Sequence, residues 1–233
     1  MTYITGDTHG IFDRVKSLCL NGNTTTKDIL IILGDVGINY YENKTDIKNK
    51  KMLSQLPITL FCIKGNHELY AGEISSYKET NYLGGIAYAE EEYPNLIFAK
   101  DGEIYNIPTK NGKCKAIVIG GAYSVDKHWR LELGEKWFPN EQPSEEVKKY
   151  VEKQLDKHLW EVDLVLSHTC PLKYEPREWF IDAVDNRTVD KSTEIWLDKI
   201  EDGLCYGKWL CAHYHGNKTI DDMVFLYNGI KSL

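Results

Sequence analysis

The chain has 233 residues, 42% of them hydrophobic and 12% aromatic, enough to bury a sizeable core, which excludes a disordered or low-complexity protein. Its formal net charge is −7, without the basic surplus that gives proteins a broad grip on nucleic acid. Nucleic acid is therefore a disfavoured partner, with a local basic patch left open.

Met1–Asp7 holds neither a basic region nor a long apolar stretch, so no secretory signal is read there. The longest apolar run, Ile29–Leu33, falls far short of the roughly 18 residues a membrane helix needs. Cysteines at positions 19, 62, 114, 170, 205 and 211 show no C-x-x-C spacing. They read as reduced structural residues that behave as small hydrophobes. Together these features predict a cytoplasmic protein with no membrane partner; they do not address its oligomeric state.

In chain order, Tyr3–Thr5 reads as a short opening strand and about Phe12–Leu20 as a helix. Asp28–Leu33 has the apolar run of a buried strand. Lys44–Leu56 is helical with Pro57 marking its end, and Ile58–Ile63 is another buried strand. Asn95–Ala99, Glu103–Ile107 and Lys115–Ile119 read as consecutive strands, with Asn111-Gly112 as a turn signal. The stretch from about 120 to 143 is irregular and holds Trp129, Trp137 and Phe138. Ser144 is a good helix N-cap, with Glu145 and Glu146 beside the positive helix end. Apolar residues at 147, 150, 151, 155, 159 and 162 then keep the helical repeat. Asp163–Leu166 is a strand, Glu194–Ile200 a short helix, Trp209–Ala212 a strand, and Met223–Tyr227 closes the chain as a final strand. With no repeat, linker or shift in composition, the expectation is a single α/β domain over 1–233 with an insertion at about 120–143.

The informative residues stand directly after the strands. Gly6-Asp7-Thr8-His9-Gly10 comes after the first, Gly34-Asp35 after the second, and Gly65-Asn66-His67-Glu68 after the third. Ser167-His168 and His213-Tyr214-His215-Gly216 come after two later ones. Strand carboxyl ends form the usual ligand crevice of helix-flanked sheets. Asp-x-His and His-x-His place both side chains on the same side of an extended segment. Each piece alone has an ordinary structural reading as a turn, a helix start or an exposed pair; their joint appearance at successive strand ends does not. Imidazole mixed with carboxylate and amide oxygen suits manganese, iron, zinc or nickel. The candidate ligands are Asp7, His9, Asp35, Asn66, His168, His213 and His215. With His67 in the third motif, only His128 and His158 of seven histidines fall outside the pattern.

This ordered set resembles the calcineurin-like metallophosphoesterase superfamily over residues 6 to 216. The resemblance implies two packed mixed β-sheets flanked by helices, an αββα sandwich, and two divalent metal ions, with manganese as the first expectation. It implies one ion on Asp7, His9, Asp35 and His215 and a second on Asp35, Asn66, His168 and His213, bridged by Asp35, with His67 facing the substrate. The expected activity is hydrolysis of a phosphodiester or phosphomonoester of a small molecule or nucleotide by a metal-activated hydroxide. Asp35 and His67 are the expected catalytic residues, and Asp7 or Glu68 the candidates to orient the His67 ring.

The protein serine/threonine phosphatases of the superfamily continue the second motif as Gly-Asp-x-Val-Asp-Arg-Gly. Here Gly34-Asp35-Val36-Gly37-Ile38-Asn39-Tyr40-Tyr41 has no arginine to clamp a phosphate, which argues against that alternative. The segment Gly120–Asp126, leading to Trp137-Phe138-Pro139, is similar to a compact bacterial and prophage group. A non-catalytic metal-binding scaffold is the other alternative, and such members lose ligands or the His67 equivalent, whereas none is missing here. Lys127, His128 and Arg130 form the basic cluster near a candidate rim, able to hold an anionic group or to lie as a solvated loop. Tyr40 and Tyr41 either stack a base or cover the core, and Trp129, Trp137, Phe138, Arg177 and Trp179 have the same two readings, site or packing.

Overall fold

A strand that is apolar at every position must be covered on both faces, and Ile29–Ile32 (β2) is covered. The computed structural model describes residues 1–233, and in it Ile29, Ile31 and Leu33 face a core between two sheets. Leu30 and Ile32 face a second core under two helices. The period-2 alternation of side chains thus splits one hydrophobic run between two cores.

The first sheet has the order β13-β1-β2-β3-β6-β5-β4. It contains β1 (Thr2–Thr5), β2, β3 (Thr59–Cys62), β4 (Lys78–Tyr82), β5 (Gly85–Ala89), β6 (Leu96–Ala99) and β13 (Lys231–Ser232). Its middle strands β1, β2, β3 and β6 run parallel, while β13, β5 and β4 pair antiparallel. The second sheet has the order β11-β12-β10-β9-β8-β7. Its members are β7 (Ile104–Thr109), β8 (Gly112–Ile119), β9 (Glu161–Ser167), β10 (Cys205–Cys211), β11 (Lys218–Ile220) and β12 (Met223–Phe225). Here β8, β9, β10 and β12 are parallel, with β7 and β11 as antiparallel edges.

Helices α1 (Asp13–Gly22) and α2 (Lys44–Ser54) cover the outer face of the first sheet through Val15, Cys19 and Leu53. On the other side α4 (Glu145–Lys157) and α5 (Ser192–Gly203) bury Val151, Leu155, Leu197 and Ile200 against the second sheet. The result is the αββα sandwich of two mixed sheets. Between the sheets, Phe61 meets Tyr105 edge-on at 4.9 Å, as aromatic pairs prefer. No helix is long and apolar enough to cross a membrane.

Several elements depart from the sequence reading. The hairpin β4–β5 is absent from it, because Lys78–Tyr82 is an edge strand with a largely exposed polar sequence and no buried alternation. The helix begun by Ser144, whose hydroxyl accepts from the Val147 N–H at 3.3 Å, ends at Lys157. Leu159 and Trp160 take positive φ and reverse the chain, leaving Leu159 87% exposed and Val162 in β9. The stretch expected to be irregular contains a short helix, α3 (Lys127–Leu133), with no buried residue. Met223–Phe225 is not the final strand; Lys231–Ser232 returns to pair with β1. Of the cysteines, all free, Cys205 is exposed and Cys114 half-buried, and the other four are buried.

Trp209 in β10 is fully buried. Its Nε1–H donates to Ser167 Oγ at 2.7 Å, and Ser167 Oγ donates on to Thr169 O at 2.6 Å, so the ring braces the turn at the end of β9. Trp209→Ala is expected to cost about 3–5 kcal/mol. Trp209→Phe, which keeps most of the volume and loses the bond, is expected to cost about 1–2 kcal/mol. Chemical denaturation midpoints at constant slope check both.

Candidate metal centre

The parallel strands release their carboxyl ends toward one another, and the turns there are unusual. His9, Asp35, His213 and His215 all have positive φ, from 45° to 66°, a region uncommon for non-glycine residues though favoured among them by Asn, Asp and His, and one that costs on the order of 1–3 kcal/mol per residue. These sharp exits aim four side chains at a common point. Two glycines permit the close approach. A Cβ on Gly34 would stand 2.1 Å from His168 Nδ1, and one on Gly65 would stand 2.0 Å from Asp35 Oδ1.

Asp35 is the centre of the arrangement. Its backbone carbonyl accepts from Thr8 N at 3.2 Å and His9 N at 2.7 Å, and its Oδ1 accepts from His67 N at 2.8 Å. Its Oδ2 faces His168 Nε2 at 3.6 Å, His9 Nε2 at 3.9 Å and His67 Nε2 at 4.0 Å. Burial alone would raise the Asp35 pKa, but the surrounding imidazoles, His168 foremost, hold it well below the usual carboxylate range.

His168, fully buried, places Nδ1 2.6 Å from Leu33 O. A carbonyl only accepts, so Nδ1 carries a proton. Nε2 lies 2.8 Å from Asn66 Oδ1, to which it donates when the ring is doubly protonated. The Asn66 amide is oriented because its Nδ2 donates to Ser124 Oγ at 2.8 Å. Burial opposes a charge on His168, yet Asp35 and Asp7 with the Leu33 carbonyl raise its pKa to about 9. His213 is pushed the other way, well below the ordinary histidine value, by burial and by neighbouring His168.

The second cluster is Asp7, His9 and His215, whose ligand atoms all lie within 4.8 Å of one another. His9 Nε2 and His215 Nε2 are 2.9 Å apart. Asp7 Oδ2 is buried with no hydrogen bond, although His215 Nε2 stands 3.1 Å away. His215 stacks on Tyr227 at 4.8 Å. The Arg14 guanidinium donates to the carbonyls of Asp7, Gly6 and Tyr227, fixing the exit of β1.

All seven predicted ligands, and His67, therefore converge. A divalent cation would satisfy the orphaned Asp7 Oδ2, and the imidazole–carboxylate–amide donor set fits a borderline metal. The predicted substrate contacts do not line the cavity. Arg130, on α3, donates to Asp126 at 2.7 Å and to the Tyr40 hydroxyl at 2.8 Å, and Lys127 Nζ sits over the Trp137 ring at 3.9 Å. Neither of these nor His128 lines the cavity that opens beside the cluster. Glu68 does not orient His67; it folds beneath the strand exits to accept from Gly65 N at 2.8 Å and Val36 N at 3.3 Å. The carboxylate within 4.0 Å of the His67 ring is Asp35. Tyr40 and Tyr41 pack on each other at 4.8 Å rather than lining the cavity, whereas Trp179 does line it. Arg14, Ser124 and Tyr227 escaped the sequence reading, since no local pattern marks a residue that supports another one's ligand.

A two-sheet sandwich with histidines and carboxylates gathered at its strand ends has the donor set of a divalent-metal centre. A family model for calcineurin-like phosphoesterases matches residues 2–217, and the chain belongs to that family. It is a hydrolase acting on phosphoesters, in a family that generally uses a dinuclear divalent metal centre. Among solved structures it is similar in fold to TT1561 of Thermus thermophilus, with a TM-score of 0.54 and 12% identity over 98% of this chain and 88% of that one. No curated protein matches it.

Gly65→Ala is expected to displace Asp35 and lower stability by about 1–3 kcal/mol, with loss of bound metal measured by elemental analysis. A second expectation concerns Glu194, whose Oε1 accepts from Thr169 Oγ1 at 2.8 Å and whose pKa is raised to about 7 by burial. A folded-state pKa above the unfolded value contributes stability that is complete below about pH 4.5 and is lost as pH rises through about 7. Glu194→Gln should therefore flatten the fall in melting temperature between those limits, an effect on the order of 1–3 kcal/mol at pH 8.

Proposed function

We propose that this chain hydrolyses a phosphodiester or phosphomonoester of a small molecule or nucleotide at two divalent ions. Asp7, His9, Asp35 and His215 would hold one ion, and Asp35, Asn66, His168 and His213 the other, with manganese favoured over iron, zinc or nickel. The observation that carries the reading is the gathering of donors at the strand ends: Asp7, His9 and His215 offer ligand atoms within 4.8 Å of one another, with Asp7 Oδ2 buried and without a hydrogen bond, and His168 Nε2 lies 2.8 Å from Asn66 Oδ1. Asp35 Oδ2 lies within 4 Å of a nitrogen from each cluster, which supports a bridging role.

Ions held there would lower the pKa of a bound water toward about 7 and offset the charge that builds on phosphoryl oxygens. The remaining work falls to the protein. Asp35, held ionised, fixes the spacing of the two clusters. His213 stays neutral because burial disfavours its charge, and a neutral imidazole is the form that ligates. His67 is also shifted down by burial, so at neutral pH it carries one proton. With its backbone pinned by Asp35 and its ring lining the cavity, it donates a hydrogen bond to the leaving oxygen.

His67→Ala is expected to keep its metal while turnover falls about 10²- to 10⁴-fold; Asp35→Ala should lose both metal and turnover. Elemental analysis, with hydrolysis of bis(p-nitrophenyl) phosphate and p-nitrophenyl phosphate by the manganese-loaded protein, separates these outcomes. Full metal occupancy in Asp35→Ala would remove the bridging assignment, and undiminished turnover in His67→Ala would remove its role as donor.

A further inference from the structure

Beside the cluster lies a cavity of about 250 Å³, and its composition is informative about the part of the substrate that does not react. One end is the cluster itself, through Asp35, Asn66, His67, His213 and His215. Much of the remaining lining comes from the segment between β9 and α5, which contributes Phe180, Ile181, Val184 and Val189, together with Val125 and Tyr214. Phe180 lies nearly parallel to Tyr214, at 15° and 6.3 Å. The apolar wall is contributed by half-buried or exposed residues rather than by the core: Ile181 is 53% exposed, and nothing from Phe180 to Lys191 is buried.

The charges around this cavity are already matched. Lys191 Nζ is bound to both Glu175 oxygens, at 2.7 and 3.0 Å, and lies 4.9 Å from the Phe180 ring. Asp126 is held by Arg130 at 2.7 Å. What remains beyond the cluster is Glu194, an acid, nine-tenths buried or more. A second phosphate or a carboxylate placed here would meet an apolar surface and a carboxyl group, with no unengaged cation, and desolvating an unpaired anion is costly.

We propose that this cavity receives the organic group of the phosphoester, and that the group is uncharged and apolar, of the size of an aromatic ring. Phe180, Val184 and Val189 determine that specificity. The inference rests on the reading of the cluster as a phosphoester site. It selects aryl phosphate esters over polyphosphates, sugar bisphosphates and phosphorylated acids. A cavity of this size beside the cluster also suits a small molecule better than a peptide or polynucleotide chain.

The test is calorimetric titration of the manganese-loaded protein with phenylphosphonate, methylphosphonate and 4-carboxyphenylphosphonate. Phenylphosphonate is expected to bind about 10- to 100-fold more tightly than methylphosphonate, from burial of one ring, and the carboxylate should abolish that advantage. In Val184→Asp and Phe180→Ala, both on the surface segment and so compatible with folding, the phenyl-to-methyl ratio should fall toward one. Equal affinities in the unaltered protein, an undiminished preference in Val184→Asp, or tight binding of the carboxylated ring would each overturn the assignment. Hydrolysis of bis(p-nitrophenyl) phosphate by the same preparations reports on the cluster independently. Turnover with no aryl preference removes the cavity assignment alone, and an aryl preference without turnover of any ester supports it while removing the hydrolytic reading.

Discussion

Asp35 joins three strand exits that would otherwise be independent. Its carbonyl takes the N–H groups of Thr8 and His9, from the turn after β1; its carboxylate takes the N–H of His67, from the turn after β3; and its other oxygen faces His168, from the opposite sheet. One residue in a left-handed conformation thus sets the spacing of every donor near it. Gly34 and Gly65 are its obligate neighbours, because a methyl group on either would collide with His168 or with Asp35 itself. The strain of the turn is held in place by the parallel strands below, whose apolar runs are buried on both faces.

That dependence explains why the donors were readable from the chain and their supports were not. Asp7, His9, Asp35, Asn66, His168, His213 and His215 sit directly after apolar runs, so strand periodicity and residue type were enough to place them at one edge. The left-handed backbone at His9, Asp35, His213 and His215 has no such mark, since these residue types fit many turns. Arg14 reaches the site from α1 by hydrogen bonds to three carbonyls, and only the packing of α1 against the first sheet brings it there. Helix α3 went unread for a different reason: Trp129, Leu131 and Leu133 are all exposed, so its apolar residues mark no buried face. The strand β4 failed the same test from the polar side.

The cavity wall belongs to the same class of hidden feature. Residues 175–191 carry Phe180, Ile181, Val184 and Val189 at spacings with no single period, next to short 3-10 turns. Their common direction is imposed by where β9 ends and α5 begins. Lys191 and Glu175, sixteen positions apart, close that segment on itself, which leaves the wall apolar although charged residues flank it.

His9 and His215 stand 206 positions apart in the chain, and each sheet supplies only part of the donor set. A folding intermediate with one sheet formed would present at most four of the seven donors. Ion affinity is therefore not a property of either half but of their docking, so an ion that binds the docked form alone adds its free energy to the cohesion of the inter-sheet core. The same linkage runs in reverse: a substitution deep between the sheets, far from any donor, weakens ion retention by whatever it takes from docking. In a cell with limiting metal, occupancy of such a centre would report on the integrity of the whole sandwich.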